Sequence, residues 1–230
     1  MITDHLYPAF HHWYKGGNIW IYSDPHFNDD EMKYLRKNYI GDDEQVKRIN
    51  SKVGKKDTII FLGDIGDPSY ISKVRGYKIL IAGNHDTGLT KLKRRTIWSA
   101  EIDGVIQELS SEFISNHTDS EIINLPNFKS YDNKLFDEIY EGVLTISDKI
   151  ILSHEPLNNI DYLFNLHGHD HSLWSNNDLL HFNCCAEHID YTPVSLNELI
   201  KTGKLKYVQN IHRDTIDKAI KKKAKRKCND

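Results

Sequence analysis

Five short apolar runs, each stopping on a cluster of ligand-type polar residues, constrain this chain of 230 residues more than any other feature. "NIWIYS" leads to Asp24, "DTIIFL" to Gly63-Asp64, "KILIA" to Gly83-Asn84-His85-Asp86 and "KIILS" to His154. A weaker run, "DYLFNL", leads to His167-Gly168-His169-Asp170-His171. Near-continuous β-branched runs of this length are the mark of strands buried on both faces. Between them, "DDEQVKRINSKV" puts Val46, Ile49 and Val53 on one face at helical spacing, and "DEMKYLRKNY" also reads as helix. Strand, helix and strand in alternation predict βαβ units and a largely parallel sheet. "YEGVLTISDKIILS" reads instead as two strands joined by a turn at Ser147-Asp148. After Pro193, "SLNEL" carries a capping box, with Ser195 as N-cap and Glu198 three residues on.

The length suits one α/β domain, expected over residues 1–217. Residues 1–17 read as a lead-in with a short strand of its own. Residues 87–137 are less legible. They hold the basic patch "KLKRR", a helix candidate and polar stretches around Pro126, and are expected to form an insertion or cap. The net charge of −3 is unevenly spread, because residues 218–227 carry seven positive charges and no negative ones. Residues 218–230 therefore read as a basic tail on an acidic body. Three cysteines, Cys184, Cys185 and Cys228, make neither a disulfide framework nor a zinc-finger spacing. No apolar run reaches the roughly 20 residues of a bilayer span, and the N-terminus lacks a signal pattern, so a cytoplasmic protein without a membrane partner is expected.

In an open α/β sheet, ligands bind outside the carboxyl ends of the strands. All five polar clusters fall there, with Gly63, Gly83 and Gly168 allowing close backbone approach. Taken singly, Asp-x-His or Gly-Asp after a strand is an ordinary loop, and a lone His154 an ordinary loop histidine. The ordered set is not ordinary. Carboxylate, imidazole and amide oxygen are donors suited to divalent Mn, Fe, Zn and similar ions. Six or seven such donors exceed the needs of one ion, whereas two ions sharing a carboxylate, roughly 3.5–4 Å apart, would use them all.

The series Asp24-x-His26, Gly63-Asp64, Gly83-Asn84-His85-Asp86, His154 and Gly168-His169-x-His171 resembles the calcineurin-like metallophosphoesterase signature, with all five blocks present and in order. The stretch from "YSDPHF" to "HGHDH", with its "YTPVSLNEL" ending, is most similar to the small bacterial and phage phosphoesterases of that superfamily. The resemblance implies an α/β fold, a two-sheet β-sandwich flanked by helices, with a dimetal site at the strand ends. It implies that Asp24, His26 and His171 bind one metal, that Asn84, His154 and His169 bind the other, and that Asp64 bridges them. His85 would face the leaving-group oxygen as general acid, with Asp64 and Asn84 also in the catalytic set. Asp86 is expected to orient His85 by accepting its ring N–H, and His167 to stand behind the ligands. The cofactors implied are two divalent ions, Mn foremost, with Fe, Zn, Ni or Co as alternatives.

The activity implied is phosphoester hydrolysis by metal-activated hydroxide attack. A phosphodiesterase on nucleotides or nucleic-acid ends is favoured, with a phosphomonoesterase, including a protein phosphatase, or a non-catalytic metal-binding module as alternatives. Protein phosphatases of the superfamily usually place Arg before the Gly of the Asn-His block and Glu after it, whereas Ala82 and Asp86 stand here. Non-catalytic relatives commonly lack the histidine that His85 provides. Lys91, Lys93, Arg94 and Arg95 either hold a second phosphate or solvate a helix face, and the basic tail either contacts phosphate backbones or is simply solvated.

Overall fold

The computed structural model describes residues 4–6, 17–36, 38–88, 93–147, 149–158, 163–172, 177–178 and 180–204. Lys91, Asp148, Cys228 and the basic tail lie outside the described residues. In chain order the strands are β1 (Asp4–Leu6), β2 (Ile19–Tyr22), β3 (Thr58–Phe61), β4 (Tyr77–Ile81), β5 (Arg94–Ile102), β6 (Val105–Glu108) and β7 (Lys129–Lys134). They continue with β8 (Glu138–Tyr140), β9 (Val143–Thr145), β10 (Ile150–Leu152), β11 (Phe164–His167), β12 (His181–Asn183) and β13 (Val194–Ser195). The helices are α1 (Asp30–Leu35), α2 (Asp42–Lys52), α3 (Ser111–Ser115), α4 (Asp119–Ile123) and α5 (Leu196–Lys201).

Two five-stranded sheets, ordered β13-β2-β3-β4-β8 and β1-β9-β10-β11-β12, make the sandwich. The apolar runs explain why. Ile19 and Ile21 of β2, Ile60 of β3, and Ile79 and Ile81 of β4 pack between the sheets against Leu144, Leu152, Phe164 and Leu166. The intervening Trp20, Tyr22, Ile59, Phe61 and Leu80 face outward and are covered by Val46, Ile49 and Val53 of the α2 region. A strand with apolar side chains on both faces is stable only between two such layers. Each fully buried Ile or Leu contributes about 1.5–3 kcal/mol of transfer free energy.

Both main sheets are largely parallel, as the alternation predicts, each with one antiparallel pairing. β2, β3, β4 and β8 run parallel, but β13 lies antiparallel on β2. β9 and β10 pair antiparallel, because the short connection at Ser147 makes a hairpin, whereas β10 and β11 run parallel. The register places the functional loops side by side. Tyr22 lies opposite Phe61, and Leu152 opposite Leu166, so the segments after β2 and β3, and those after β10 and β11, leave their sheets at matching heights.

The stretch read as an insertion carries a three-stranded antiparallel sheet, β6-β5-β7, with α3 and α4. Its own small core centres on Ala100, Leu109 and Ile122, with Trp98 and Phe128 packed edge to face at its margin. Arg94 and Arg95 open strand β5 rather than a helix face, and Arg95 forms an ion pair with Glu108. α1 is shorter than its sequence reading. Its chain turns extended at Arg36, whose side chain is drawn into the interior. Ser195 caps α5 by accepting from Glu198 N, half of the expected box. No helix among the described residues is long and apolar enough to cross a membrane.

Candidate metal centre

The loop after β2 is sewn to the loop after β3. Asp24 N donates to Gly63 O at 3.1 Å and His26 N to Asp64 O at 3.1 Å. This turns the Asp24, His26 and Asp64 side chains to the same rim. The approach is close enough to forbid side chains at the glycines. A Cβ on Gly83 would lie 2.2 Å from Asp64 Oδ1, and one on Gly168 would lie 2.1 Å from Asp24 Oδ2. Four of the expected ligands adopt left-handed backbone conformations, with φ of 54° at Asp24, 45° at His26, 49° at Asp64 and 65° at His169. Each such non-glycine residue costs on the order of 1 kcal/mol or more, and persists only where its surroundings over-determine it.

The rim brings all seven expected ligands together in two groups. Asp24, His26 and His171 present ligand atoms within 4.8 Å of one another, and Asp64, His154 and His169 do the same. Asn84 joins the second group, its Oδ1 lying 2.8 Å from His154 Nε2. Asp64 Oδ2 stands between the groups, 3.7 Å from His26 Nε2 and 3.4 Å from His154 Nε2. A third group, His171 with Cys185 and Glu187, shares its histidine with the first.

The imidazole tautomers fit cation binding. His154 Nδ1 donates to Leu62 O at 2.7 Å, His171 Nδ1 to Glu187 Oε1 at 2.5 Å, and His26 Nδ1 to Asp29 Oδ2 at 3.2 Å. Each ring therefore turns its Nε2 toward the carboxylates. His26 Nε2 and Asp24 Oδ1 are buried with no hydrogen-bond partner among the described residues, a costly arrangement that a cation between them would relieve. His169 Nδ1 and His154 Nε2 lie 3.1 Å apart, two ring nitrogens facing one another as they would around a shared ion. Asp24 Oδ2 is held by the Ser23 hydroxyl and by His169 N at 2.9 Å, so the free Oδ1 is the oxygen turned to the cluster.

The electrostatics agree. Burial acts to raise the Asp24 pKa, yet His171, His154 and the Ser23 hydroxyl hold it far below the usual carboxylate range. Burial acts to lower His154, but the Asp64 carboxylate bonded to it, with the charge of Asp24, raises it to about 9. His171 is likewise raised to about 9 against burial by Asp24 and Glu187. Carboxylates poised to stabilise positive charge at these nitrogens are poised to stabilise a metal there.

His85 is exposed at the rim. Its backbone N–H donates to Asp64 Oδ1 at 2.9 Å, and its ring lies 5.8 Å from that of His26. Asp86 corrects the sequence reading. Its carboxylate accepts from three backbone N–H groups, those of Asp64 at 2.9 Å, Ile65 at 3.0 Å and Gly83 at 2.9 Å, and no bond to the His85 ring is formed. It bolts the two loops together. Burial pushes its pKa up while those N–H groups pull it down. His167 is fully buried beside the ligands, with Nδ1 2.9 Å from Gly168 O.

Asp29, Arg36 and Glu187 were not foreseen from sequence. Asp29 doubles as the N-cap of α1 and the partner of His26, and an Asp before an acidic first turn is a readable capping signal. Arg36 and Glu187 sit in segments with no motif of their own.

Among known proteins, the family model described as calcineurin-like phosphoesterase matches residues 17–208. No curated protein matches the chain. The crystal structure of a protein of unknown function, AQ665 from Aquifex aeolicus, superposes with a TM-score of 0.50 at 21% identity, covering 81% of this chain and 99% of that one. That likeness bears on the fold alone.

Proposed function

Because the chain belongs to the calcineurin-like phosphoesterase family, we propose that its rim holds two divalent cations and hydrolyses phosphodiesters, with nucleotides or nucleic-acid ends as the substrate class. Family membership and the ligand clusters support a metal-dependent phosphoester hydrolase. The observation that carries the two-cation reading is Asp64 Oδ2, placed 3.7 Å from His26 Nε2 and 3.4 Å from His154 Nε2, where one carboxylate serves both groups.

Asp24, His26 and His171 would hold one cation. Asn84, His154 and His169 would hold the other, with Asp64 shared. The carboxylate, imidazole and amide donors suit manganese first, then iron, zinc, nickel or cobalt. Bound divalent cations supply Lewis acidity toward phosphoryl oxygens and a water acidic enough to attack phosphorus near neutral pH. The chain's own residues do the rest. His85, exposed and anchored through its backbone to Asp64, donates a ring proton to the departing oxygen. Asn84 turns its amide oxygen to His154, which leaves its N–H groups to bond a phosphoryl oxygen as charge grows there.

The lean toward diesters follows the resemblance to the small bacterial and phage phosphoesterases. Ala82 and Asp86, where protein phosphatases of the superfamily usually carry Arg and Glu, count against a phosphoprotein substrate.

The test is hydrolysis of bis-(p-nitrophenyl) phosphate against p-nitrophenyl phosphate by metal-stripped protein with Mn²⁺ restored. Faster diester cleavage is expected. Loss of His85 to alanine should slow it about 10²–10⁴-fold. Full activity in Asp64→Asn would refute the shared-carboxylate site.

A further inference from the structure

Behind the first ligand group lies a buried arginine that no step above uses. Arg36 has a side chain 2% exposed. Its Nη2 donates to Asp24 O at 2.5 Å and its Nη1 to Pro25 O at 3.2 Å. Its Nε faces Glu187 Oε2 at 3.4 Å. Glu187 in turn takes the Nδ1 proton of His171 at 2.5 Å. One guanidinium thus grips the backbone of Asp24-Pro25 with two of its nitrogens and faces, with its third, the carboxylate that aims His171.

We propose that Arg36 and Glu187 are positioning residues for the cation subsite made by Asp24, His26 and His171, a proposal that rests on the two-cation reading above.

Three features support it independently of any motif. First, the carbonyls that Arg36 holds belong to Asp24 and Pro25, and the flanking ligands Asp24 and His26 both have left-handed backbone. A loop in that conformation relaxes unless something outside it fixes it, and the planar fork of arginine fixes two successive carbonyls at once. Second, Glu187 fixes which His171 nitrogen carries the proton, leaving Nε2 to point at Asp24 Oδ1 across 3.4 Å. Third, the same arginine serves both tasks. The three ligands come from loops on different sheets, after β2 and after β11, and Arg36 and Glu187 span the gap between them. Among the described residues, the second subsite has no counterpart of this pair. There, His154 is aimed by a backbone carbonyl, that of Leu62. The two subsites should therefore respond differently to loss of the pair.

The test titrates metal-stripped protein with Mn²⁺ and follows the free ion by its paramagnetic resonance signal. Wild type is expected to take two equivalents. Glu187→Ala and Arg36→Met should each weaken one equivalent about 10–100-fold and leave the other as in wild type. Glu187→Gln, whose amide oxygen can still accept from His171 Nδ1, should restore most of the loss. Adding Glu187→Ala to His171→Ala should weaken that equivalent no further, because the glutamate acts through the histidine. Should Arg36→Met fail to fold, Arg36→Lys, which keeps the charge but not the fork, should show the same selective loss. Unaltered binding in the variants overturns the assignment. So does equal weakening of both equivalents with a fallen melting temperature, or additivity in the double variant. A wild-type protein that takes up no pair of ions overturns the underlying two-cation reading itself, a distinct result.

Discussion

Gly168 has room for a hydrogen and nothing larger. A Cβ there would lie 1.9 Å from Ser23 Oγ and 2.1 Å from Asp24 Oδ2. Gly168→Ala must push the Asp24 carboxylate out of the cluster, with a strain of about 1–3 kcal/mol. It should lower the melting temperature modestly but abolish binding of one metal equivalent, read by metal analysis of purified protein. An unchanged metal content would show that Asp24 is not held by this contact. Asp86 gives the complementary case. An amide NH₂ in Asp86→Asn would face backbone N–H groups that now bond a carboxylate oxygen, at a cost of about 1–3 kcal/mol. A thermal melt should show that loss, whereas His85→Ala should melt like wild type. Were Asp86 instead the orienter of His85, its variant would lose activity and keep its stability. The residues the rim brings together were legible because all but His154 lie within a short pattern on a tight turn. Asp86 was misread because sequence adjacency to His85 does not reveal which way its side chain turns, here back across Gly83 to the next loop. Arg36 and Glu187 were not legible because their contacts arise only when the end of α1 and the turn after β12 meet in space.

At the scale of elements, the same logic divides what could be read from what could not. β2, β3 and β4 are apolar on both faces, and that double burial is written directly into "IWIY", "TIIF" and "YKILI". β6 is exposed throughout, and β7 nearly so, so neither shows a continuous apolar run. Yet Trp98, Ala100 and Ile102 alternate along β5 and face one small core, a period-two signal hidden beside the basic patch. Thr118 and Glu121 form a full capping box at α4, another readable mark in the same stretch. With three fully buried residues at its centre, this sub-structure should open more readily than the sandwich. Leu109→Ala should cost it about 2–5 kcal/mol. Hydrogen exchange is expected to accelerate across residues 94–134 while the amides of β2, β3 and β4 keep their protection. Uniform acceleration in both would mean that the insertion and the sandwich unfold as one unit.

Across the whole molecule, the rim draws on both sheets. Asp24, His26, Asp64 and Asn84 follow strands of one sheet, whereas His154, His169 and His171 follow strands of the other. Each ligand group contains members from both, so each bound cation would tie the two layers together at one end of the core. A ligand bound by the folded state alone stabilises it by RT ln(1 + [L]/Kd), about 2.7 kcal/mol at a hundredfold excess over Kd. For a chain of this size that corresponds to a rise of roughly 5–11 °C in melting temperature. Restoring Mn²⁺ to chelator-treated protein should produce such a rise. Asp64→Asn, which removes the shared carboxylate, should lose most of it. His85→Ala should retain it in full while losing activity, since that histidine lies outside the two groups and, on the proposed reading, would act on substrate alone. The pair of variants separates the two tasks of the rim: if His85→Ala loses the thermal gain as well, His85 is a ligand, and the division between residues that hold cations and the residue that delivers the proton is wrong.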